Sequence, residues 1–267
     1  MARGNKQIPG QMTIEMCIDQ DNYVVQANEL IGGRQALGLN SAKLIRTAVM
    51  QIRPEDREIK PYLITIKQLA ELLGITPDNF YRVTAEKGNE KIHYIDEITD
   101  DIVNNPVFIK KNENKRIQWV KIPWVEYCQY DSDVGVTIQL NQRLKPFLIA
   151  LKEHYTQYRL ENILAMKSIY AIRIFEMLQA KIMTRLLPRE GRHIILTLDE
   201  IGDGCDLSDK YKDKETGKWV FGNLNNRVIK IAVKEINRVT TYKLEYEKIK
   251  NGRTVEAIDF LLNMQYH

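Results

Sequence analysis

The same order of secondary-structure elements is predicted twice along this chain of 267 residues. Each half shows a helix, a strand, two further helices and a hairpin, with apolar residues recurring every three to four positions in the helices and alternating in the strands. Helix, turn, helix and hairpin in this order are typical of a winged helix. At roughly 150 residues per domain, the length accommodates two such units. The sequence therefore predicts an α+β protein with two winged-helix domains in tandem, related by a weak internal duplication.

The first half contains a helix-turn-helix pattern. Apolar residues at helical spacing predict a helix over 67–73 that ends at Gly74, and Thr76 is a candidate N-cap for a second helix through residue 83. Two alternating segments on either side of the charged tip 110–116 predict a hairpin. Together these signals place one winged helix before residue 153.

The second half begins with a broad apolar pattern that predicts one long helix, Leu160–Arg185. A strand over 193–198 and a short helix capped by Asp199 follow, and Asn223 is a candidate N-cap for a helix that runs to Arg238. A basic hairpin closes the pattern. We expect an N-terminal arm at residues 1–20, a first domain at 21–153 and a second domain at 154–267.

The helix from Asn223 to Arg238 has one apolar and one cationic face. Its apolar stripe, expected to pack against the domain, consists of Leu224, Val228, Ile231, Ala232 and Ile236. The free face carries Asn226, Arg227, Lys230, Lys234 and Arg238, with Glu235 as its one acid. Amide and guanidinium groups make the bidentate contacts that distinguish adenine and guanine in the major groove. On the helix alone, a solvated charged face and a DNA-reading face are equally good interpretations.

Basic residues also crowd the tips of two predicted hairpins. The C-terminal tip holds Lys248, Lys250 and Arg253 around Asn251-Gly252, a pair suited to a tight turn. The expected equivalent in the first half consists of Lys110, Lys111, Lys115 and Arg116. Because a basic turn beyond a basic helix is where a winged helix would touch flanking phosphates, the two tips and two candidate reading helices favour duplex binding.

The sequence contains none of the usual metal or nucleotide motifs. Histidines stand at 93, 154, 193 and 267, a spacing that fits neither HExxH nor the paired histidines of rolling-circle nickases. Gly217-Lys218 lacks the remainder of a phosphate-binding loop. We therefore expect no metal, no cofactor and no enzymatic activity.

Composition indicates the compartment. No apolar run is long enough for a membrane span, and residues 1–10 contain no apolar leader segment. The three cysteines form no close pair, as expected in a reducing cytoplasm. The formal net charge of +4 permits an anionic partner without requiring one.

A longer motif lies in residues Asn162–Leu178, NILAMKSIYAIRIFEML. It resembles the signature of iteron-binding plasmid replication initiators, the Rep proteins with tandem winged-helix domains. Residues 24–31 resemble the start of that family, and segments 227–237, 244–246 and 252–253 resemble its C-terminal reading helix and wing. For Ser168, Tyr170 and Arg173 we expect a structural role, with Arg173 and Glu176 available to pair along the helix.

The resemblance implies a protein that binds directly repeated origin sequences as a monomer, helps to open an adjacent AT-rich segment, and recruits a host initiator and helicase. Dimers of such proteins often repress their own promoter. The DNA-reading side chains of the second domain would be Asn225, Asn226, Arg227, Lys230 and Lys234. The first domain would add backbone contacts or a dimer interface, with Asn79, Tyr81 and Arg82 on its DNA side. Some relatives carry arginines where this chain has Asn225-Asn226, which shifts the expected base preference towards adenine.

Three alternatives remain open from the sequence. One is a winged-helix transcriptional repressor without an initiation role, which would favour inverted rather than direct repeats. Another is an assembly protein whose second domain serves protein contacts, and which would show no marked sequence preference among duplexes. The third is a metal-free nicking enzyme that uses a tyrosine nucleophile.

Overall fold

The structure, a computed structural model, describes residues 12–13, 22–53, 55–87, 90–113, 116–182, 191–207 and 210–264. The strands of the first half are β1 (Met12–Thr13), β2 (Tyr23–Ala27), β3 (Tyr62–Thr65), β4 (Val83–Lys87), β5 (Glu90–His93), β6 (Val107–Glu113), β7 (Arg116–Ile122), β8 (Val125–Asp131) and β9 (Gly135–Leu140). Its helices are α1 (Asn28–Gly32), α2 (Leu39–Met50), α3 (Ile66–Leu73), α4 (Tyr94–Asn104) and α5 (Lys145–Leu148). The expected arm at 1–20 lies outside the described residues except for β1.

The second half has the same basic order. It contains β10 (Tyr155–Arg159), α6 (Leu160–Ala165), α7 (Ile169–Lys181), β11 (Arg192–Thr197), α8 (Leu198–Gly204), α9 (Phe221–Leu224), α10 (Lys230–Val239), β12 (Tyr242–Asn251) and β13 (Thr254–Met264). The first half has the sheet β1–β3–β9–β8, in which only the pairing of β1 with β3 is parallel, and the second half has the antiparallel sheet β11–β13–β12. In both sheets the strand before the capped helix, β3 or β11, pairs with the last strand of its half, β9 or β13. Helix α4 packs on α2 and β8 as α10 packs on α7 and β12. Both halves are therefore winged helices, as the sequence predicts.

The two domains also share a capping motif at the point where a strand leads into a helix. Thr65 and Gln68 form a capping box at the start of α3, and Thr197 and Glu200 form one at the start of α8. In each case the threonine hydroxyl accepts the backbone N–H three residues on, while the side chain at that position accepts the threonine N–H. The expectation that Asp199 caps α8 is wrong, because the helix begins two residues earlier, at Leu198, and Thr197 caps it.

The prediction of a second α-helix in the first helix-turn-helix is also wrong. Residues Pro77–Tyr81 form only a short 3₁₀ turn, and the chain continues into the hairpin β4–β5. Phe80 is the one buried side chain of that turn, so a single turn is enough to cover it. The helix that occupies the reading-helix position of the first domain is α4.

The basic tip of the first half is not the equivalent of the C-terminal wing. Strands β6 and β7, which contain residues 110–113 and 116 of this tip, pair with each other in a separate two-stranded sheet. The turn that corresponds to the C-terminal wing joins β8 to β9 and carries Asp131 and Asp133. The sequence pattern of a hairpin is thus confirmed for 107–122, but its expected place in the domain is wrong.

The long helix predicted over 160–185 is interrupted. Residues 166–168 separate α6 from α7, and Glu235 accepts the backbone N–H groups of Lys167 and Ser168 at 2.7 and 3.0 Å. A carboxylate at the N-terminus of α7 satisfies donors that have no partner within the helix. The last three residues of the predicted helix, 183–185, lie outside the described residues.

The domains meet through their first strands. β2 and β10 pair antiparallel along their full lengths, from Tyr23 opposite Arg159 to Ala27 opposite Tyr155. The expected boundary at 153/154 falls just before β10, so each half of the duplication contributes one strand to this ribbon.

A buried ionic network lies beneath the ribbon. Glu176 on α7 accepts two hydrogen bonds from Arg46 of α2, at 2.9 and 3.0 Å, and one from Arg173 at 2.6 Å. Arg173 also donates to the carbonyl oxygens of Ile31 and Gly33 in the first domain, at 2.6 and 3.0 Å. The expected pairing of Arg173 with Glu176 is present, and the two arginines extend it across the domain junction.

Because of this network, we expect the free energy of unfolding to fall in acid. Burial by itself would raise the pKa of Glu176, but Arg46 and Arg173 outweigh it and lower this pKa from 4.5 to about 2. A carboxylate whose pKa is lower in the folded state stabilises above its unfolded pKa and ceases to do so as pH falls through the folded value. We therefore expect this contribution to disappear between about pH 4.5 and pH 2. Urea unfolding of the wild type and of Glu176→Gln across that range measures it, and equal pH slopes for the two would contradict it.

Candidate nucleic-acid interface

The basic helix of the second domain contains a π turn. α9, the π turn Asn225–Ile229 and α10 form one continuous helix. Because a π turn holds one extra residue, it shifts the buried stripe of the residues that follow it. The buried residues are Leu224, Val228, Ile229, Ala232 and Ile236. The prediction that Ile231 belongs to this stripe is wrong: Ile229 is buried, and the side chain of Ile231 is 40% exposed.

The opposite face of this helix is cationic and exposed. Arg227, Lys230 and Lys234 are exposed and lie on one side at helical spacing, with Asn226 exposed nearby. Glu235 caps α7, so its carboxylate is engaged away from these cations. We name Arg227, Lys230, Ile231 and Lys234 the reading face. Arg238, which the sequence places alongside, donates instead to the carbonyl of Ala165 at 3.0 Å.

The start of the helix is tied to the hairpin that follows it. Tyr246 on β12 donates its hydroxyl hydrogen to Oδ1 of Asn225 at 2.7 Å. Lys248 places its ammonium 5.4 Å from the ring centre of Phe221. These contacts fix the amide of Asn225, and they hold the hairpin against the N-terminal end of the reading face. Sequence periodicity does not reveal Tyr246 as a partner, because the pair is 21 residues apart.

The C-terminal hairpin is confirmed as a wing with a short turn. Asn251 pairs with Thr254, and Gly252 adopts a φ of +59°, which a glycine accepts without strain. Lys248, Lys250 and Arg253 are exposed on this wing. The register shifts between Ile249 and Lys250, a bulge that changes the direction of the strand near its tip.

The predicted DNA-side residues of the first domain lie together on the 3₁₀ turn and just after it. Asn79, Tyr81 and Arg82 are exposed. Tyr81 accepts a hydrogen bond from Tyr130 at 2.8 Å, and the guanidinium of Arg82 stacks over the ring of Tyr94 at 5.4 Å. Tyr94 begins α4, whose other residues include Asp96, Glu97, Asp100 and Asp101. Acidic side chains repel a phosphate backbone, so the composition of α4 does not favour contact with DNA.

Three of the four remaining predicted residues lie on the hairpin β6–β7. Lys110 is exposed on β6, while Lys111 and Arg116 are placed on β6 and β7. Lys115 lies outside the described residues. Around this hairpin the structure adds two cations that the sequence analysis missed: Arg34, 5.0 Å from the ring centre of Phe108, and Lys121, 5.9 Å from the ring centre of Trp119.

Within the parts of the chain that the structure describes, no group of three or more His, Cys, Asp or Glu side chains could hold a metal ion. No helix there is long and apolar enough to cross a membrane.

The fold and this surface define a tandem winged-helix protein whose second domain presents a cationic helix and a basic wing. Residues 23–179 match the family model described as Initiator Replication protein, WH1, and residues 197–262 match that of Initiator Rep protein, WH2. The chain belongs to this initiator Rep protein family.

The fold resembles one solved structure of an initiator protein. The match to the Pi initiator protein, crystallised in complex with iteron DNA, has a TM-score of 0.70 and 14% identity, and it covers 94% of this chain and 100% of the other. A match to domains 2 and 3 of RctB, at 9% identity and 94% coverage of each chain, has a TM-score of only 0.37.

Proposed function

We propose that this chain initiates plasmid replication by binding iterons, directly repeated duplex sequences at an origin. The observation that carries the proposal is the reading face, on which Arg227, Lys230 and Lys234 are exposed while the helix's acid is engaged elsewhere. Guanidinium and ammonium groups on one helix face match the acceptors that guanine presents in the major groove. The crystallisation of the similar Pi protein with iteron DNA supports the same ligand here.

The two neighbouring asparagines have different roles in this proposal. Asn225 already accepts a hydrogen bond from Tyr246, so its NH₂ group is the part available to DNA and it donates to an acceptor. Asn226 is exposed and keeps both its donor and its acceptor for a bidentate contact with adenine. The expected preference for adenine therefore depends on Asn226.

For the first domain, residues 21–153, we propose contacts to the DNA backbone rather than to bases. Its exposed cations on the 3₁₀ turn and on hairpin β6–β7 suit phosphates, whereas α4 is acidic. The residues proposed for these contacts are Asn79, Tyr81, Arg82, Lys110, Lys111, Lys115 and Arg116, of which the structure shows Asn79, Tyr81, Arg82 and Lys110 as exposed. The second domain, residues 154–267, then reads the sequence.

We further propose a cytoplasmic protein that catalyses no reaction itself and recruits a host initiator and helicase to the opened origin. Dimerisation through the first domain would allow repression of its own promoter. The position of β8 supports a dimer, because among the described strands it is an edge strand of its sheet, and a strand at an edge can pair with a second copy.

Footprinting on paired probes tests the proposal. The probes carry the same selected site twice, as direct repeats or as inverted repeats, with centres one helical turn or multiples apart. Stronger occupancy of direct repeats is the result expected for a monomeric initiator, while preference for inverted repeats would assign the chain to repressors. Equal affinity for all duplexes, whatever their sequence, would favour an assembly module. A covalent adduct between a tyrosine and supercoiled DNA would favour a nickase.

A separate prediction concerns the basic side chains of the wing and the salt dependence of DNA binding. We expect Lys250→Ala and Arg253→Ala to weaken binding on specific and random duplexes alike, because phosphates carry no sequence information. Each lost phosphate contact should reduce the slope of log K against log salt by about one. Lys243→Ala is the matched control, since Lys243 lies at the far end of the same strand and pairs with Glu245 at 2.9 Å. An unchanged salt slope in the Lys250 and Arg253 variants would place the wing outside the interface.

A further inference from the structure

Ile231 is an apolar residue in the middle of a cationic face. It follows Lys230 directly and stands four residues after Arg227 and three before Lys234, so the four side chains share one side of the helix. Its side chain is 40% exposed, whereas Ile229, Ala232 and Ile236 around it are fully buried.

The π turn explains why Ile231 faces outwards. In an uninterrupted α-helix, residue 231 would continue the apolar stripe of Leu224 and Val228, but the extra residue of the turn brings Ile229 into the core instead. Isolated exposed apolar side chains are common on protein surfaces. This one differs because any duplex held by the neighbouring cations would bring base edges against it.

The chemistry of the major groove offers one apolar feature. Thymine carries a C5-methyl group there, and the other three bases present only donors and acceptors. We propose that Ile231 is a specificity-determining residue that contacts the methyl group of a thymine in the bound repeat. The inference rests on the proposed function, because it takes the reading face to lie in the major groove. The cations at 227, 230 and 234 then bind acceptors on either side of that thymine.

Replacement of thymine by uracil tests the contact, since uracil lacks only the methyl group. The probe is the duplex that the full chain selects from a random library, with each thymine changed to uracil in turn. For the wild type we expect a loss of about fourfold in affinity at one position, the effect of one buried methyl group. For Ile231→Ala we expect that position to become insensitive to the change, while Ile231→Val keeps part of the discrimination.

The control variant is Ile195→Ala, which removes the same atoms from a side chain 50% exposed on β11. It should retain the wild-type response to uracil. If uracil has no effect on the wild type, or the same effect on Ile231→Ala, the thymine contact is overturned while sequence-specific binding stands. If the wild type selects no sequence at all, the proposed function itself fails.

Discussion

Glu176→Gln is expected to lower the free energy of unfolding by about 3–5 kcal/mol, the usual effect of removing one partner from a buried ion pair. Glu176 is fully buried, and both Arg46 and Arg173 are 1% exposed. The substitution keeps the shape of the side chain but removes its charge. Two guanidinium groups then remain buried without the carboxylate that both contact, and neither can lose its proton.

Urea unfolding monitored by circular dichroism measures this effect. Glu161→Gln is the matched control, because Glu161 pairs with Arg159 at 3.1 Å on the surface, where both side chains are about half exposed or more. Exposed pairs contribute about 0–1 kcal/mol, so the control should stay close to the wild type. Similar losses in the two variants would show that the network contributes no more than a surface pair.

The network joins the domains as well as stabilising them. Arg46 belongs to the first domain, Glu176 and Arg173 belong to α7, and Arg173 donates to carbonyls in both domains, those of Ile31 and Gly204. Sequence analysis finds the local pair because residues three apart on a helix are neighbours. It cannot find Arg46, which lies 130 residues from Glu176 and carries no pattern that indicates a buried charge.

The fold class follows from the sequence because it depends on hydrophobic period and element order. The helix predicted over 67–73 corresponds to α3, and the predicted basic tip lies at the turn between β12 and β13. The second helix of the first helix-turn-helix is predicted at the wrong residues for a physical reason. Phe80 needs only one turn to be buried, and the insertion of β4–β5 moves the equivalent helix to α4, which no duplication pattern locates.

On the reading face, the helical period of the sequence predicts the exposure of some side chains correctly and of others wrongly. Arg227, Lys230 and Lys234 are exposed, as their spacing predicts. Ile231 is exposed and Ile229 buried because a π turn changes the number of residues per turn, and the 3.6-residue pattern contains no sign of it. The link between Tyr246 and Asn225 also depends on how β12 packs on the helix, which the sequence leaves undetermined.

The combined variant Arg227→Ala/Lys230→Ala is expected to lose about 2–6 kcal/mol of binding free energy on the selected repeat, since each good base contact contributes about 1–3 kcal/mol of discrimination. Neither residue contributes to the buried stripe, so the fold should be retained. Each single variant should lose about half as much and should relax the base preference at a different position.

Titration against the selected repeat and a scrambled duplex of the same length, at one fixed salt concentration, measures the binding free energy on a specific and on a non-specific sequence. We expect the affinity for the scrambled duplex to fall much less than the affinity for the repeat, because the lost contacts are to bases. Lys243→Ala removes one positive charge elsewhere in the same domain and controls for the general electrostatic effect. Losses of equal size on the two duplexes would mean that Arg227 and Lys230 bind phosphates, and the reading of the repeat would then have to be assigned to another surface of the chain.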